Sequence, residues 1–309
     1  MKKIRLIALV GATASGKSAA ALELARRFGG EIVSCDSMQV YRGMDIATAK
    51  PTLAERREIP HHLIDVAEPD APYSVASYVS DAEIAVREIA GRGKLPIFCG
   101  GTGLYLDRFL CGGLPATTLS DEVLRAELLR EAEEKGADFL HQELAKVDPA
   151  SAAVIHKNNV RRVARALEIY RLTGTPKSVW DAQTKTAECR FDARVILLDR
   201  PREDLYRRID LRVDQMLAAG LLEETEALDR RGVFEKNSTA AQAIGYKEIL
   251  PYLHGECNLQ TAVETLKTAT RHYAKRQLTW FSAKSYAEAL PADDVVPALS
   301  KILSEGETR

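Results

Sequence analysis

The sequence predicts an α/β fold in which a parallel sheet is flanked by helices, with an all-helical domain inserted into the chain. Three observations support this prediction. Strand-like and helix-like segments alternate through the first hundred residues, a glycine-rich motif follows the first strand, and residues 119–186 carry no strand pattern. Alternation of this kind is typical of a parallel sheet with helices on its faces.

The first strand is predicted over residues 4–10, a continuous apolar run of the kind that is buried on both faces of a sheet. The elements predicted after it are a helix over 17–28, a strand over 31–35, a helix over 73–90 with Ser74 as its candidate N-cap, and a strand over 95–99. Ligands of such sheets bind at the carboxyl ends of the strands.

The insert is predicted as a series of helices over 121–135, 137–146 and 158–172. The strand pattern returns at 193–198, and helical spacing follows it up to about residue 285. We therefore expect a core formed by residues 1–118 together with 190–309, and an insert formed by residues 119–189.

The composition is that of a globular protein, and the net charge of −1 excludes a nucleic-acid-binding protein that is basic over its whole length. The 309 residues include 43 basic and 44 acidic side chains, so contacts with nucleic acid would depend on local clusters of Lys and Arg. The five cysteines form no CxxC pair, which argues against a zinc ribbon and fits a reducing compartment. No run reaches the length of a membrane span and no coiled-coil pattern occurs, so we expect a cytoplasmic monomer with no membrane partner.

A phosphate-binding loop is indicated by the string GATASGKS, which matches the pattern G-x-x-x-x-G-K-[ST] between a predicted strand and a predicted helix. This context makes a chance match the weaker alternative, and it predicts a P-loop NTPase-like sheet. Lys17 would place a full charge on the phosphates, and the Ser18 hydroxyl would ligate Mg²⁺. The loop alone does not identify the reaction. The residues predicted to bind phosphate are Gly11, Ala12, Thr13, Ala14, Ser15, Gly16, Lys17 and Ser18.

Polar residues follow the ends of three predicted strands. Asp36 lies beside the P-loop, where a carboxylate would act as a general base, cap a turn or support a magnesium ion indirectly. Thr102, in the string GGTG, offers a donor and an acceptor to a ligand, although its residue type and place suit a helix N-cap better. Asp199 is either a magnesium residue or part of a turn with Arg200 and Pro201.

Two basic clusters interrupt the even balance of charge. Arg161 and Arg165 share a face of an insert helix, and Lys267, Arg271 and Lys275 follow one another at i,i+4 spacing. Like charges at this spacing cost stability unless an anion neutralises them. A solvated helix face is the usual alternative, but two clusters in a chain with a phosphate site favour an RNA backbone.

Aromatic residues are interleaved with the second cluster, at Tyr273, Trp280 and Phe281. They would stack on bases, although anchoring in a core is the more common use of such residues.

The sequence resembles the bacterial tRNA dimethylallyltransferases, also called tRNA isopentenyltransferases, over nearly its whole length. Strings that carry the resemblance are GATASGKS (11–18), DSMQVYRGMDIATAKPT (36–52), PHHLID (60–65), YSVASY (73–78), GGTGLY (100–105), NNVRRVARALEIY (158–170), AQAIGYKE (241–248) and TRHYAKRQLTWF (270–281). The departures from the family pattern are Ala12, Ala47 and Ser282, which stand where proline, glycine and arginine are common.

The resemblance implies transfer of a prenyl group from dimethylallyl diphosphate to N6 of adenosine-37, 3′ of the anticodon, in the tRNA anticodon stem-loop. It implies catalytic roles for Asp36, Thr102 and Lys17, and Mg²⁺ at Ser18. The residues that it implies to contact tRNA are Asp36, Ser37, Met38, Gln39, Thr102, Arg125, Arg161, Arg162, Val163, Ala164, Arg165, Gln242, Gly245, Tyr246, Lys247, Arg271, Lys275, Arg276 and Gln277.

Three other functions share part of this pattern. A small-molecule kinase that uses ATP shares the loop and the aspartate but needs no arginine-bearing insert. A prenyltransferase that acts on free AMP would lack the two basic clusters. A nucleotide-dependent switch protein would bind nucleotide without turnover.

Overall fold

A computed structural model of the chain describes residues 3–112, 120–186, 189–237 and 239–306. The chain divides into two compact units, one formed by Met1–Asp107 with Phe191–Arg309 and the other by Arg108–Arg190. The predicted insert, 119–189, falls within the second unit. The predicted boundary between residues 118 and 119 lies outside the described residues.

The first unit is built on a six-stranded sheet in which every pairing is parallel, in the order β3-β2-β4-β1-β5-β6. The strands are β1 Arg5–Gly11, β2 Gly30–Cys35, β3 His61–His62, β4 Leu95–Gly100, β5 Asp192–Asp199 and β6 Ala287–Pro291. The predicted fold class is confirmed. The two strands that the sequence did not reveal, β3 and β6, lie at the edges of the sheet.

The helices follow the predicted order but include several short ones that were not predicted. They are α1 Lys17–Phe28, α2 Leu53–Glu58, α3 Val75–Gly91, α4 Gly103–Cys111, α5 Glu122–Lys135, α6 Ala137–Val147, α7 Pro149–Val154, α8 Val160–Thr173, α9 Lys177–Thr186, α10 Arg202–Ala218, α11 Leu221–Arg230, α12 Val233–Lys236, α13 Tyr246–Leu253, α14 Leu259–Ser282 and α15 Val295–Gly306. Ser74 caps α3 as predicted, because its side chain accepts a hydrogen bond from the backbone N–H of Ser77.

Two of the apolar clusters in the described part of the first unit position its helices around the sheet. One packs α1 and α15 against the sheet through residues such as Leu9, Leu24 and Leu299. The other packs α10, α11, α13 and α14 against the loop that follows β2, through Met44, Leu221 and Tyr246. Because β2, β4 and β1 are neighbours, the segments that follow them meet at one edge of the sheet, where ligands of parallel sheets bind.

The second unit is helical and has its own core, which includes Leu128, Leu140, Leu144 and Leu167. Helix α5 of this unit is capped by Asp121, whose carboxylate accepts a hydrogen bond from the backbone N–H of Leu124. Among the described helices of the whole chain, none is both long enough and apolar enough to cross a membrane.

Candidate active site

The P-loop joins β1 to α1 and has the backbone geometry that its glycines permit. Gly11 and Gly16 have φ of 140° and 103°, in the left-handed region that favours glycine. A Cβ at Gly11 would lie 3.1 Å from the carbonyl oxygen of Leu198, a tight contact that also favours glycine there.

Lys17 is the charged residue of the loop. Its ammonium donates hydrogen bonds to the carbonyl oxygens of Gly11 at 3.1 Å and Ala12 at 2.6 Å. Burial lowers the pKa of Lys17 to about 8. The ammonium therefore lies in a poorly hydrated site, where an anionic ligand would stabilise its charge.

Three arginines that the sequence interpretation missed surround the same loop. Nε of Arg200 donates to the carbonyl oxygen of Ser15 at 3.1 Å, and Nε of Arg208 donates to that of Ala14 at 2.9 Å. Nη1 of Arg212 donates to the Thr13 hydroxyl at 3.1 Å. Burial, and then repulsion from Arg208, lower the pKa of Arg212, as expected for cations gathered around a site for an anion.

The signal for these arginines was present in the sequence. Arg208 and Arg212 are spaced i,i+4 on α10, as are the cations of the two predicted basic clusters. Nothing local connects them to the P-loop, because almost two hundred residues of chain separate the two.

Gln277, predicted to contact tRNA, joins two parts of the site through its side-chain amide. Its Oε1 accepts a hydrogen bond from the backbone N–H of Thr13 at 2.8 Å, and its Nε2 donates to the carbonyl oxygen of Gly101 at 3.1 Å. The residue is 5% exposed. Its amide is therefore engaged with the P-loop and with the turn that follows β4.

Asp36 follows β2 and forms a turn, as one of the alternatives anticipated. Its Oδ1 accepts hydrogen bonds from the backbone N–H groups of Met38 at 2.9 Å and Gln39 at 3.4 Å. Burial raises the pKa of the carboxyl above its usual 3.8, while the two backbone donors and the charge of Lys17 act in the opposite direction. A turn-forming role and a proton-accepting role are compatible in this geometry.

Thr102 immediately precedes α4, but its side chain bonds outside that helix. Its Oγ1 accepts a hydrogen bond from the backbone N–H of Ser37 at 3.0 Å and donates one to the Ser37 hydroxyl at 3.4 Å. Thr102 thus joins the chain after β4 to the chain after β2, next to Asp36.

Two cavities meet at this edge of the sheet. The first, which we call the P-loop cavity, measures about 740 Å³ and is lined by Lys17, Ser18 and Arg208 among others. The second, which we call the outer cavity, measures about 510 Å³. The residues that line both are Thr13, Asp36, Thr48, Ala49, Arg212 and Tyr273. Asp36 therefore stands where a site for an anion opens onto a second binding site.

Several predicted tRNA contacts line the outer cavity. Those with exposed side chains are Gln242, Lys247 and Arg276, while Ser37 and Met38 are half-buried. Gly245 lines the cavity with buried backbone. Tyr246 is fully buried and donates its hydroxyl hydrogen bond to Glu224, so its side chain faces the core.

Gln39 also bonds within the protein. Its amide donates to the carbonyl oxygens of Thr48 and Ala49, and it accepts a hydrogen bond from the Ser34 hydroxyl. Gln39 therefore holds the loop that separates the two cavities.

The basic stripe on α14 is partly neutralised by carboxylates of the same unit. Lys267 pairs with Asp214 at 2.8 Å, and Arg271 pairs with Asp210 at 2.6 Å. Lys275, one turn further along, is exposed. Of the aromatic residues beside the stripe, Phe281 is buried in the core, whereas Trp280 is 39% exposed.

In the second unit, helix α8 was predicted to contact tRNA, and its residues are likewise partly exposed and partly buried. Arg161 and Arg162 are exposed, whereas Val163 and Ala164 are fully buried in the core of the unit. Those two side chains are therefore not on the surface that RNA would contact.

Arg165 and Arg125 bind one buried carboxylate. Nη1 of Arg165 lies 2.8 Å from an oxygen of Glu168, and Nη2 of Arg125 lies 3.0 Å from the other. Glu168 is fully buried, so both arginines compensate a charge inside the unit.

Asp199 ends β5 and is exposed, and it lines neither cavity. Its backbone carbonyl accepts a hydrogen bond from the N–H of Ala292, which ties the chain after β6 to the sheet. Within the described ranges, no group of three or more His, Cys, Asp or Glu side chains forms a metal site made by the protein alone.

Comparison with known proteins agrees with this geometry. The profile of the family described as IPP transferase matches residues 39–284, and that of the family described as Isopentenyl transferase matches residues 3–65. The tRNA dimethylallyltransferase of Geobacillus kaustophilus is 48% identical over 277 residues, which cover 90% of this chain and 87% of that protein.

Two solved structures are similar over most of the chain. The full-length tRNA isopentenylpyrophosphate transferase of Bacillus halodurans has a TM-score of 0.72 at 42% identity, covering 98% of this chain and 96% of that one. A eukaryotic dimethylallyltransferase acting on tRNA has a TM-score of 0.81 at 34% identity, covering 94% of this chain and 74% of that one.

Proposed function

This chain belongs to the IPP transferase family, and on that premise we propose that it is a tRNA dimethylallyltransferase. It transfers the dimethylallyl group of dimethylallyl diphosphate to N6 of adenosine-37, 3′ of the anticodon, and releases diphosphate. The observation that carries the proposal is the position of Asp36, a half-buried carboxylate at the junction of an anion-binding cavity and a second cavity.

The donor occupies the P-loop cavity in this proposal. The backbone N–H groups of the loop and the charges of Lys17, Arg208 and Arg212 meet the diphosphate. These groups are already in place, so they stabilise the negative charge that grows on the diphosphate as the carbon–oxygen bond breaks.

Magnesium fits the same cavity. The Ser18 hydroxyl and the Asp36 carboxylate both line it, and Mg²⁺ typically combines one or two protein oxygens with water and substrate phosphates. The ion would add positive charge beside the leaving diphosphate.

The acceptor adenine enters from the outer cavity. Its N6 amine attacks the allylic carbon that bears the diphosphate, forming a carbon–nitrogen bond as the carbon–oxygen bond breaks. The nitrogen becomes positively charged and loses a proton, which Asp36 accepts. Thr102, which lies beside Asp36 through its bond to Ser37, hydrogen-bonds the reacting amine.

An adenine inside a stacked anticodon loop cannot reach a carboxylate between two cavities. The base must therefore leave the stack, as it does in other enzymes that modify nucleobases. The exposed cations that line the outer cavity, Arg276 and Lys247, would hold the RNA backbone around it.

A transfer assay tests the proposal. The protein is incubated with radiolabelled dimethylallyl diphosphate and unmodified tRNA, and parallel reactions contain AMP in place of tRNA. We expect label in tRNA alone, and digestion should place it on the nucleoside 3′ of the anticodon. Label in AMP would instead indicate a prenyltransferase that acts on the free nucleotide. Phosphoryl transfer from γ-labelled ATP, with no prenyl transfer, would indicate a kinase.

A further inference from the structure

The loop that separates the two cavities is held on its outer side by one carboxylate. Both oxygens of Glu224, in the first turn of α11, accept hydrogen bonds from three successive backbone N–H groups. The distances are 3.0 Å from Asp45, 2.9 Å from Ile46 and 3.3 Å from Ala47. The Tyr246 hydroxyl donates to the same carboxylate at 2.7 Å.

These three N–H groups begin a tight turn. The carbonyl of Ile46 accepts from the N–H of Ala49, and that of Asp45 accepts from the N–H of Lys50. As at the start of a helix, the first N–H groups of such a turn have no acceptor within it. Glu224 supplies that acceptor from another element, and its negative charge suits the positive end of the turn.

The turn shapes the wall of the site. Ala47 lies so close to Gly245 that a Cβ on the glycine would be 2.5 Å from the Ala47 Cβ, and both residues line the outer cavity. Thr48 and Ala49, the next two residues, line both cavities.

Different side chains hold the two sides of the turn. On the side of the P-loop cavity, the Gln39 amide holds the carbonyls of Thr48 and Ala49, and the buried Lys50 ammonium bonds to the carbonyl of Tyr41 and to Asp65. The same ammonium bonds to the Asp45 side chain at 2.6 Å, but no backbone N–H of residues 45–47 depends on that contact. On the side of the outer cavity, Glu224 holds residues 45–47. Loss of Glu224 should therefore displace Ala47 and leave the wall of the P-loop cavity in place.

We propose that Glu224 is a positioning residue for the acceptor: it fixes the 45–47 segment so that the outer cavity presents the adenine to Asp36. This inference rests on the proposed function. Neither Glu224 nor the 45–47 segment is among the residues predicted from the sequence, because the contact joins positions far apart in the chain.

The test compares Glu224→Gln with Glu223→Gln. Glu223 is the adjacent exposed residue of the same helix, so both variants lose one negative charge. A glutamine amide has only one accepting oxygen. Its NH₂ group would replace the second carboxylate oxygen and face backbone N–H groups that are themselves donors, so those hydrogen bonds would be lost. We expect hydrogen exchange of the 45–47 amides to accelerate at least about tenfold in Glu224→Gln and to be unchanged in Glu223→Gln.

Steady-state kinetics supply the functional readout. A misplaced acceptor should lower kcat/KM for tRNA by roughly tenfold to a hundredfold, with KM for dimethylallyl diphosphate unchanged within about twofold. If Glu224→Gln does not fold, Glu224→Asp is measured in the same way, with a smaller effect in the same direction. The inference would be overturned if Glu224→Gln and Glu223→Gln had equal kcat/KM for tRNA. It would also be overturned if hydrogen exchange of the 45–47 amides were unchanged in Glu224→Gln, or if kcat/KM fell equally for tRNA and for dimethylallyl diphosphate. Absence of transfer by the unmodified protein would instead mean that the proposed function itself is wrong.

Discussion

The proton-accepting role of Asp36 is the part of the proposal that a single variant tests best. Asp36→Asn keeps an oxygen in the place of Oδ1, so the turn bonds to Met38 and Gln39 are retained. They change from charge-assisted to neutral bonds, a loss of about 1 kcal/mol that removal of the partly buried charge offsets in part. The melting temperature should therefore change by only a few degrees.

The chemistry should change far more than the stability. Removing a general base costs about two to four powers of ten in rate, which corresponds to about 2.7 to 5.4 kcal/mol of transition-state stabilisation. Single-turnover rates at saturating substrates measure this loss directly, because saturation cannot restore an interaction that is made only in the transition state.

A magnesium titration and a second variant separate the alternatives. If Asp36 only supports the metal, excess Mg²⁺ should restore much of the rate of Asp36→Asn. If Asp36 is only a turn residue, Asp36→Ala should lose stability, whereas Asp36→Asn should retain full turnover per folded molecule. Full activity of Asp36→Asn without added metal would refute the assignment of the base.

Further variants and a pH profile test the remaining roles. Lys17→Ala should reduce turnover about a hundredfold or more, because it removes the positive charge that Lys17 places beside the diphosphate. Near-normal turnover would mean that the P-loop does not hold the leaving group. As pH falls, activity should decrease when Asp36 gains a proton, and this should occur above the usual carboxyl pKa of 3.8. As pH rises through about 8, kcat/KM for the donor should decrease because Lys17, whose pKa is lowered to about 8, loses its charge. Arg161→Ala should reduce the slope of log K for tRNA against log salt by about 0.7 to 0.9 without changing the melting temperature. Arg165→Ala should lower the melting temperature, because the buried Glu168 carboxylate loses one of its two cationic partners. Equal melting temperatures of the two variants would contradict this distinction. Gln277→Leu removes the acceptor of the half-buried Thr13 N–H, at a cost of about 1 to 3 kcal/mol, so it should lower the melting temperature and weaken donor binding. A change in the tRNA salt slope alone would instead favour an RNA contact.

The sequence predicted best what is encoded locally. The strands β1, β4 and β5 contain continuous apolar runs, and β2 is buried along its whole length. All four lie inside the sheet between two neighbours each. The strand β3 has only two residues, and β6 mixes exposed with half-buried residues at an edge, so neither carries a hydrophobic pattern. The P-loop was found for the same reason, since its glycines, lysine and serine are contiguous.

Contacts between distant parts of the chain could not be predicted from local patterns. Arg208 and Arg212 carry an i,i+4 signal, but only the fold shows that they surround the P-loop. Glu224 carries no signal at all, because its three donors are backbone groups of a loop more than 170 residues earlier in the chain.

The basic stripe on α14 shows how charge alone misleads a sequence-based interpretation. Repulsion between cations at i,i+4 spacing implies a neutralising anion, and the sequence allowed that anion to be RNA. The structure supplies Asp214 for Lys267 and Asp210 for Arg271, both from α10. Each of those two cations therefore already has an anionic partner within the protein. Lys275 and Arg276 are exposed on the same helix, and Arg276 lines the outer cavity. Exposure at the cavity, rather than membership of a cluster, therefore identifies the cations best placed to bind the tRNA backbone.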